Sequence, residues 1–399
     1  LLSRPGTCVL LVACLALTAC GRGEAGPDER VVAYRAAPVE AGSARHVTGP
    51  IQQDDPWNCG QGAQTVVPGP DGTVFVINTS CQMGGGYEPY GDPIAEAKAA
   101  EPLHVDRIDA TGTTRDPDSA WAFPTQGTRL AAVTADATYA VDYDHVYVRR
   151  TRSWEVLVSH ADLGREQDVI PFLDLTIDND GSVVIAAGNG VVRVAPNGDS
   201  TWLLEPRPPG TASTPLSDGA PVARDDTSGI ADIEPGPSGG YLLLDDVGIT
   251  LLDTSGNRTP VLVDDTPAPP DARLVPPTVS VDGDLSSCCS GTSTLAGIAV
   301  DETGRILTID RTFGRLLRVG RDGTVERVLG PERTENACDI DCPRPSETFG
   351  PDGDQAAPVD DVLLTSVSGP SPLAFDPISG DLFVALGGDG TVRLNLRDR

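Results

Sequence analysis

The 399-residue chain has one lysine, Lys98, one methionine, Met83, and four histidines, His46, His104, His145 and His160. Its 29 basic residues face 58 acidic ones, a formal net charge of −29. A surface of that sign repels phosphate backbones and anionic headgroups, so nucleic acid is not expected as a partner. No apolar run approaches the roughly 20 residues that a membrane-crossing helix requires. C-x-x-C pairs are missing, and four histidines are few to supplement thiols, so a zinc site is not expected either. Neither H-E-x-x-H, a Walker loop nor an EF-hand loop is present, and the histidines show no spacing that would gather them. Catalysis needs convergent polar groups. No catalytic residue, metal ligand or cofactor is therefore assigned from the sequence.

A leader stands at the start. Arg4 is followed by an apolar or small-residue stretch at 7–19, too short for a mature membrane helix and of the length of a signal-peptide core. Leu17-Thr18-Ala19-Cys20, followed by Gly21, resembles the lipobox of bacterial lipoproteins, in which the thiol of the last residue takes a diacylglycerol. The resemblance implies a signal peptide at 1–19 and a lipid on Cys20. The alternative is an ordinary secretory signal in which Cys20 is incidental. Residues 20–30 are small and charged without an apolar period, a flexible tether, and 31–399 form the folded domain. Usage rich in Arg, Ala, Gly, Pro and Asp is that of a GC-rich genome and points to a Gram-positive envelope. The expected location is then the extracellular face of the cytoplasmic membrane, with the lipid as the membrane contact and the protein a monomer.

Cys8, Cys14 and Cys20 belong to the leader or its lipidation site, which leaves Cys59, Cys81, Cys288, Cys289, Cys338 and Cys342. An even number of cysteines outside the cell reads as disulfides.

From about residue 60 onward, apolar runs of four to seven residues, rich in Val, Ile, Leu and Thr, are split by Gly, Asp, Asn and Pro. That is a strand-and-turn pattern, and it repeats. The clearest copy, 297–330, divides into four strands, with Thr303-Gly304 and Asp322-Gly323 at the tight turns. A copy at 173–204 has Asp180-Gly181 and Asn197-Gly198 in those places, and one at 230–263 has Ser238-Gly239 and Ser255-Gly256. Another opens near Ala63 with Asp71-Gly72 and Thr111-Gly112 around a long insertion; 129–158 is a copy without the glycines; 373–396 supplies three strands. Repeated four-stranded antiparallel units are the sequence form of β-propeller blades. The expected fold is all-β, a six-bladed propeller whose last blade is completed by an N-terminal strand, from 31–34 or 46–51.

The unit at 297–330 resembles an NHL repeat. Gly297-Ile298-Ala299-Val300-Asp301 matches its opening G-[IV]-A-V-D, Asp310 the acidic end of the second strand, Arg315-Leu316 the start of the third, and Gly330 the end of the fourth. Leu373-Ala374-Phe375-Asp376 and Gly229-Ile230-Ala231-Asp232 align with the same opening, each after a Gly- and Pro-bearing linker. The resemblance spans about residues 60–396.

In such blades the tight turns gather at one end of the ring. The long segments, 79–102, 205–229, 264–296 and 330–372, gather at the other, together with the six cysteines. Binding concentrates on elaborated loops. Trp57, Tyr87 and Tyr90 flank Cys59 and Cys81 there; they form a contact patch or cover the blade edge. Asp178-Asn179-Asp180-Gly181 reads as a hairpin turn rather than a calcium loop. The acidic pairs Asp225-Asp226, Asp245-Asp246, Asp264-Asp265 and Asp360-Asp361 read as solvated loop charge. The function expected is a binding or scaffold module for a protein, a peptide or a cell-envelope glycan. The alternative is a lactonase-like or other propeller hydrolase or lyase with a metal at the channel mouth.

Blade topology narrows the disulfides. Cys59 precedes the first strand of its blade and Cys81 follows the second, so antiparallel pairing brings both to one end, and they pair. Cys288 and Cys289 enter the fifth unit and Cys338 and Cys342 leave it; two bridges between these links restrict the unfolded chain by about 3–4 kcal/mol each. The competing arrangement is a vicinal Cys288–Cys289 bridge with a local Cys338–Cys342 loop. Non-reducing peptide mapping should yield a fragment joining 288–289 to 338–342; two separate self-contained fragments would refute the clamp.

Overall fold

A computed structural model describes residues 40–48, 62–79, 104–109, 112–116, 121, 123–124, 128–164, 171–206, 229–245, 248–263, 295–311, 314–330, 356–359, 362, 364, 367, 371–386 and 390–397. Residues 1–32 are a separate unit outside that set. The domain is an all-β ring of six blades, each a sheet of antiparallel strands.

Strand β1, Ser43–Thr48, is followed by blade one: β2 Gly62–Pro68, β3 Val74–Thr79, β4 His104–Asp109 and β5 Gly112–Asp116. Blade two is β6 Arg129–Val133, β7 Thr138–Val141, β8 His145–Arg149 and β9 Glu155–Ser159. Blade three is β10 Phe172–Ile177, β11 Val183–Ala187, β12 Gly190–Val194 and β13 Ser200–Leu204. Blade four is β14 Asp232–Pro235, β15 Tyr241–Asp245, β16 Gly248–Leu252 and β17 Arg258–Val263. Blade five is β18 Leu295–Val300, β19 Ile306–Asp310, β20 Arg315–Val319 and β21 Val325–Leu329. A two-residue strand β22, Ala357–Pro358, precedes blade six: β23 Leu373–Asp376, β24 Asp381–Ala385 and β25 Thr391–Asn395.

Period-2 alternation explains why the second strands of blades three to six, β11, β15, β19 and β24, are buried throughout. All five residues of β11 are buried; Val183, Ile185 and Ala187 pack with blade two, while Val184 and Ala186 pack with blade four. Side chains that alternate across a strand serve both faces at once. The same division around the ring puts an apolar layer at each of the six blade-to-blade interfaces.

Blade six is completed by β1, which pairs antiparallel with β25 through Ala44↔Leu394, Arg45↔Arg393 and His46↔Val392. The closing strand therefore begins three residues before the second of the two expected segments; the first, 31–34, lies outside the described residues. β22 then adds a short outer strand to β1 at Ser43↔Pro358 and Ala44↔Ala357, which the repeat pattern did not announce. Proline there cannot donate to a further strand, so this edge is blunted. Val359, Val362, Leu364 and Val367 continue from it into the layer between blades five and six. Part of the long segment 330–372 is thus core rather than surface loop.

The NHL-like signature at blade five proves to be structural. Asp301 accepts from the backbone N–H groups of Thr303 and Arg305 and from the Arg305 guanidinium, so it shapes the first turn. Asp376 does the same for blade six through Ile378 and Ser379. Asp310 is paired with Arg315 at 2.8 Å, both side chains essentially buried. Gly330, at φ +96°, leaves room for that arginine: a Cβ there would lie 2.6 Å from the Cβ of Arg315.

Deleting residues 43–48 should leave β25 as an open edge. The expected result is loss of the cooperative unfolding transition, or aggregation, in urea titration; a parent-like transition would overturn the closure assignment.

Candidate functional site

The first strand of every blade lines the interior of the ring, and it carries few ionisable groups. Apart from Asp376 on β23, those few lie on consecutive blades two, three and four. Arg129 on β6 donates to the backbone carbonyls of Phe172, at 3.3 Å, and Leu173 on β10. Asp174 on β10 accepts from the backbone N–H of Ile233 on β14 at 3.2 Å. Asp232 on β14 accepts from the backbone N–H of Ile298 on β18 at 2.7 Å. Each of these side chains bonds the first strand of the next blade. Glu234, two residues along β14 and so on the same side as Asp232, is half-buried.

Charge and burial conflict here. Arg129 is held below the usual guanidinium range by burial, against the pull of Asp174. Burial raises Asp174 above the ordinary carboxyl value, with the charge of Arg129 opposing. Asp232 is raised well above it by burial, then by the charges of Asp174 and Glu234. Burial and the Asp174 charge push Glu234 up to about 8. Glu234 is thereby an acid that can exchange a proton near neutral pH.

Sheet register corrects one alignment. The motif equates Asp232 with Asp301, yet Asp232 pairs with Leu244 at the far end of its hairpin, whereas Asp301 follows Val300, which pairs with Ile306 beside the turn. Counted back from the turns, Asp174 and Asp232 occupy the place that Gly297 holds in blade five. Where the signature has glycine, blades three and four carry an aspartate that bonds the next blade.

A second polar group lies in blade two. Asp142 accepts from the Tyr147 phenol at 2.8 Å and from the backbone N–H of His145 at 2.7 Å. Burial, then that bond, raises the phenol above its usual range. His160 follows β9, with its Nδ1 3.7 Å from an Asp144 carboxylate oxygen. The sequence spacing gave no reason to join His145 and His160, but His145 pairs with Ser159, so β8 and β9 deliver both to one end of the blade.

The residues expected to form a site, namely Cys20, Cys59, Cys81, Cys288, Cys289, Cys338, Cys342, Trp57, Tyr87 and Tyr90, all lie outside the described residues. The strands flanking the first mature pair do meet, Gly62 opposite Thr79. Of the acidic pairs only Asp245 is described; it is buried and bound to Arg258 at 2.5 Å, an ion pair rather than solvated loop charge. Asp178-Asn179-Asp180-Gly181 is a hairpin turn whose carboxylates hold Arg193. Gly236-Pro237-Ser238-Gly239-Gly240 matches the G-x-S-x-G pattern, which sequence reasoning passed over. It is the β14–β15 hairpin turn, closed by a Gly236 N–H to Gly240 carbonyl bond of 2.9 Å, not a strand-to-helix elbow. Among the described residues no group of three or more His, Cys, Asp or Glu side chains is arranged to hold a metal ion.

No protein-family model matches the chain, and no curated protein does. Among solved structures it is similar to a protein of unknown function from Bacteroides thetaiotaomicron, at TM-score 0.48 and 12% identity over 91% of this chain and 74% of that one. It is also similar to a catalytically inactive virginiamycin B lyase from Staphylococcus aureus with quinupristin, at TM-score 0.45 and 11% identity over 86% and 97%. A structural-genomics target described as a candidate gluconolactonase gives TM-score 0.45 and 11% identity over 90% and 96%. Likeness at this level assigns no activity, and the fold stands on the blade topology itself.

Arg129→Ala removes the donor to two β10 carbonyls and the cation beside Asp174. Removing one partner of a buried charge group costs about 3–5 kcal/mol, and urea unfolding at pH 7 should show a loss of that order; a loss under 1 kcal/mol would mean that the guanidinium is not holding the two strands together.

Proposed function

We propose that this chain is an extracytoplasmic lipoprotein, anchored through Cys20, whose NHL-like propeller acts as a binding or scaffold module for a protein, a peptide or a cell-envelope glycan. The observation that carries the reading is the inequality of the two ends of the ring. At one end, blades three, four and five turn on short hairpins with glycines at positive φ, Gly181, Gly198, Gly239, Gly256, Gly304 and Gly323. At the other end the chain runs from Leu204 to Asp232, from Val263 to Leu295 and from Leu329 to Leu373 between successive four-stranded units. Sequence invested in loops on a rigid ring supplies recognition surface rather than stability. Cys288, Cys289, Cys338 and Cys342 fall in two of those segments, where disulfides would hold such loops in shape.

A second reading has its own support. Glu234, an acid with a raised pKa, and Arg129, a cation, both interact with the charge of Asp174, and an acid tuned in this way is what a hydrolase or lyase needs for proton transfer. Calcium distinguishes the two, because the enzyme alternative rests on an ion at the channel mouth. Calorimetric titration of the purified domain with CaCl2 should give no saturable heat on the binding reading, and a saturable site would favour the enzyme.

The anchor is tested by fractionation. The parent should partition into the detergent phase of a Triton X-114 extract, and Cys20→Ala should appear in the aqueous phase or retain an uncleaved leader. Unchanged detergent-phase partitioning of the variant would overturn the lipid assignment.

A further inference from the structure

We propose that the loop-rich end of the ring captures the terminal carboxylate of a peptide between blades two and three, with Arg129 as its anchor and Tyr143 at its rim, an assignment that rests on the binding-module reading. Sheet register sets the place. Arg129 pairs with Val141 and Phe172 with Ala187, each at the end of its hairpin remote from the tight turn. The main chain of Phe172 is held there from both sides. Its N–H donates to the Tyr143 carbonyl at 3.2 Å, and its carbonyl accepts from Nη2 of Arg129 at 3.3 Å.

Nη2 also donates to the Leu173 carbonyl, which fixes the guanidinium across the gap between β6 and β10. A guanidinium carries five N–H hydrogens, and the two on Nη2 are spent on these carbonyls. Among the described residues Nε and Nη1 have no acceptor within hydrogen-bond distance, and neither atom is sealed from solvent. Three donors on a side chain already locked in place are thus left for an incoming oxygen. Charge-assisted bonds to a carboxylate are the strongest use of them.

Tyr143 stands in an equally fixed turn. Asp142 accepts from the backbone N–H groups of Asp144 and His145, at 2.9 and 2.7 Å, and from the Tyr147 phenol at 2.8 Å. Among the described residues three large apolar side chains are exposed, and Tyr143, at 36%, is the one at the loop-rich end; Val156 lies on β9 and Ile378 in the β23–β24 turn. A tyrosine and an arginine held beside one another, with their ordering cost already met by the fold, have the composition of protein-recognition hot spots. The acids of β10 and β14, Asp174, Asp232 and Glu234, narrow the ligand. They repel a polyanion, whereas one carboxylate on a slender chain reaches the guanidinium with little like-charge contact. The free C-terminus of a peptide has that chemistry.

Two pools offered to the immobilised mature chain test the anchor: random tetrapeptides ending in a free carboxyl, and the same peptides amidated. The free-acid pool should be retained and the amidated pool not. The retained peptides should bind Arg129→Lys about tenfold more weakly, because lysine keeps the charge and loses the spread of N–H donors. Equal retention of both pools, retention of neither, or unchanged binding to Arg129→Lys would overturn the carboxylate anchor, and equal retention would do so while upholding the binding-module reading. Should Arg129→Lys fail to fold, phenylglyoxal labelling of the parent decides. Arg129 labelled in the free protein and shielded by the retained peptides supports the anchor; labelling that the peptides leave unchanged, or shielding by oligoglucuronate alone, refutes it.

Discussion

Apolar burial on both faces of every blade is the constraint from which the rest follows. A strand such as β11, enclosed from end to end, has no solvent face on which a lone blade could survive. Each blade is stable only between two others, and a linear array would always leave two bare faces. Closure into a ring removes them, and completing blade six with β1 makes the first described strand of the domain part of its last sheet. The apolar layers are then continuous around the ring, and polar groups are admitted where they bridge blades, as Asp174 and Asp232 do.

The fold was legible because its signals are local and repeated. Turn glycines recur at fixed offsets from short apolar runs, and the register follows from them; in blade five the strands expected at 306–309, 315–319 and 324–329 lie within a residue of those found, and the first, expected at 298–300, begins three residues earlier. The closing strand was harder. Its partner β25 lies at the opposite end of the sequence, so no local turn announces the pairing, and only the missing fourth strand of blade six pointed to it. β22 was not legible at all, since two residues carry no period.

The interior carboxyl group escaped for a different reason. Asp174 stands in Phe172–Ile177 and Asp232 and Glu234 in Asp232–Pro235, where acidic residues interrupt otherwise apolar strands. That interruption was the available signal, but acidic residues in loops drew attention first. Only the juxtaposition of β6, β10, β14 and β18 joins residues more than a hundred positions apart. The motif alignment compounded the difficulty, because it equated Asp232 with a turn residue when its register places it in the ring interior. Signature residues that sequence comparison treats as family marks, Asp301, Asp310, Arg315 and Gly330, turned out to be one blade's internal carpentry.

Closure by β1 also dictates an order of events during synthesis. Ala44 leaves the ribosome hundreds of residues before Leu394, the residue it pairs with. Until then blade six has no second strand edge for β1 to join, and the interfaces on both sides of that blade stay open. Pairings of such long sequence separation form late and slowly. The emerging chain therefore carries β1 unpaired until its final blade has been made, and only then does the ring lock.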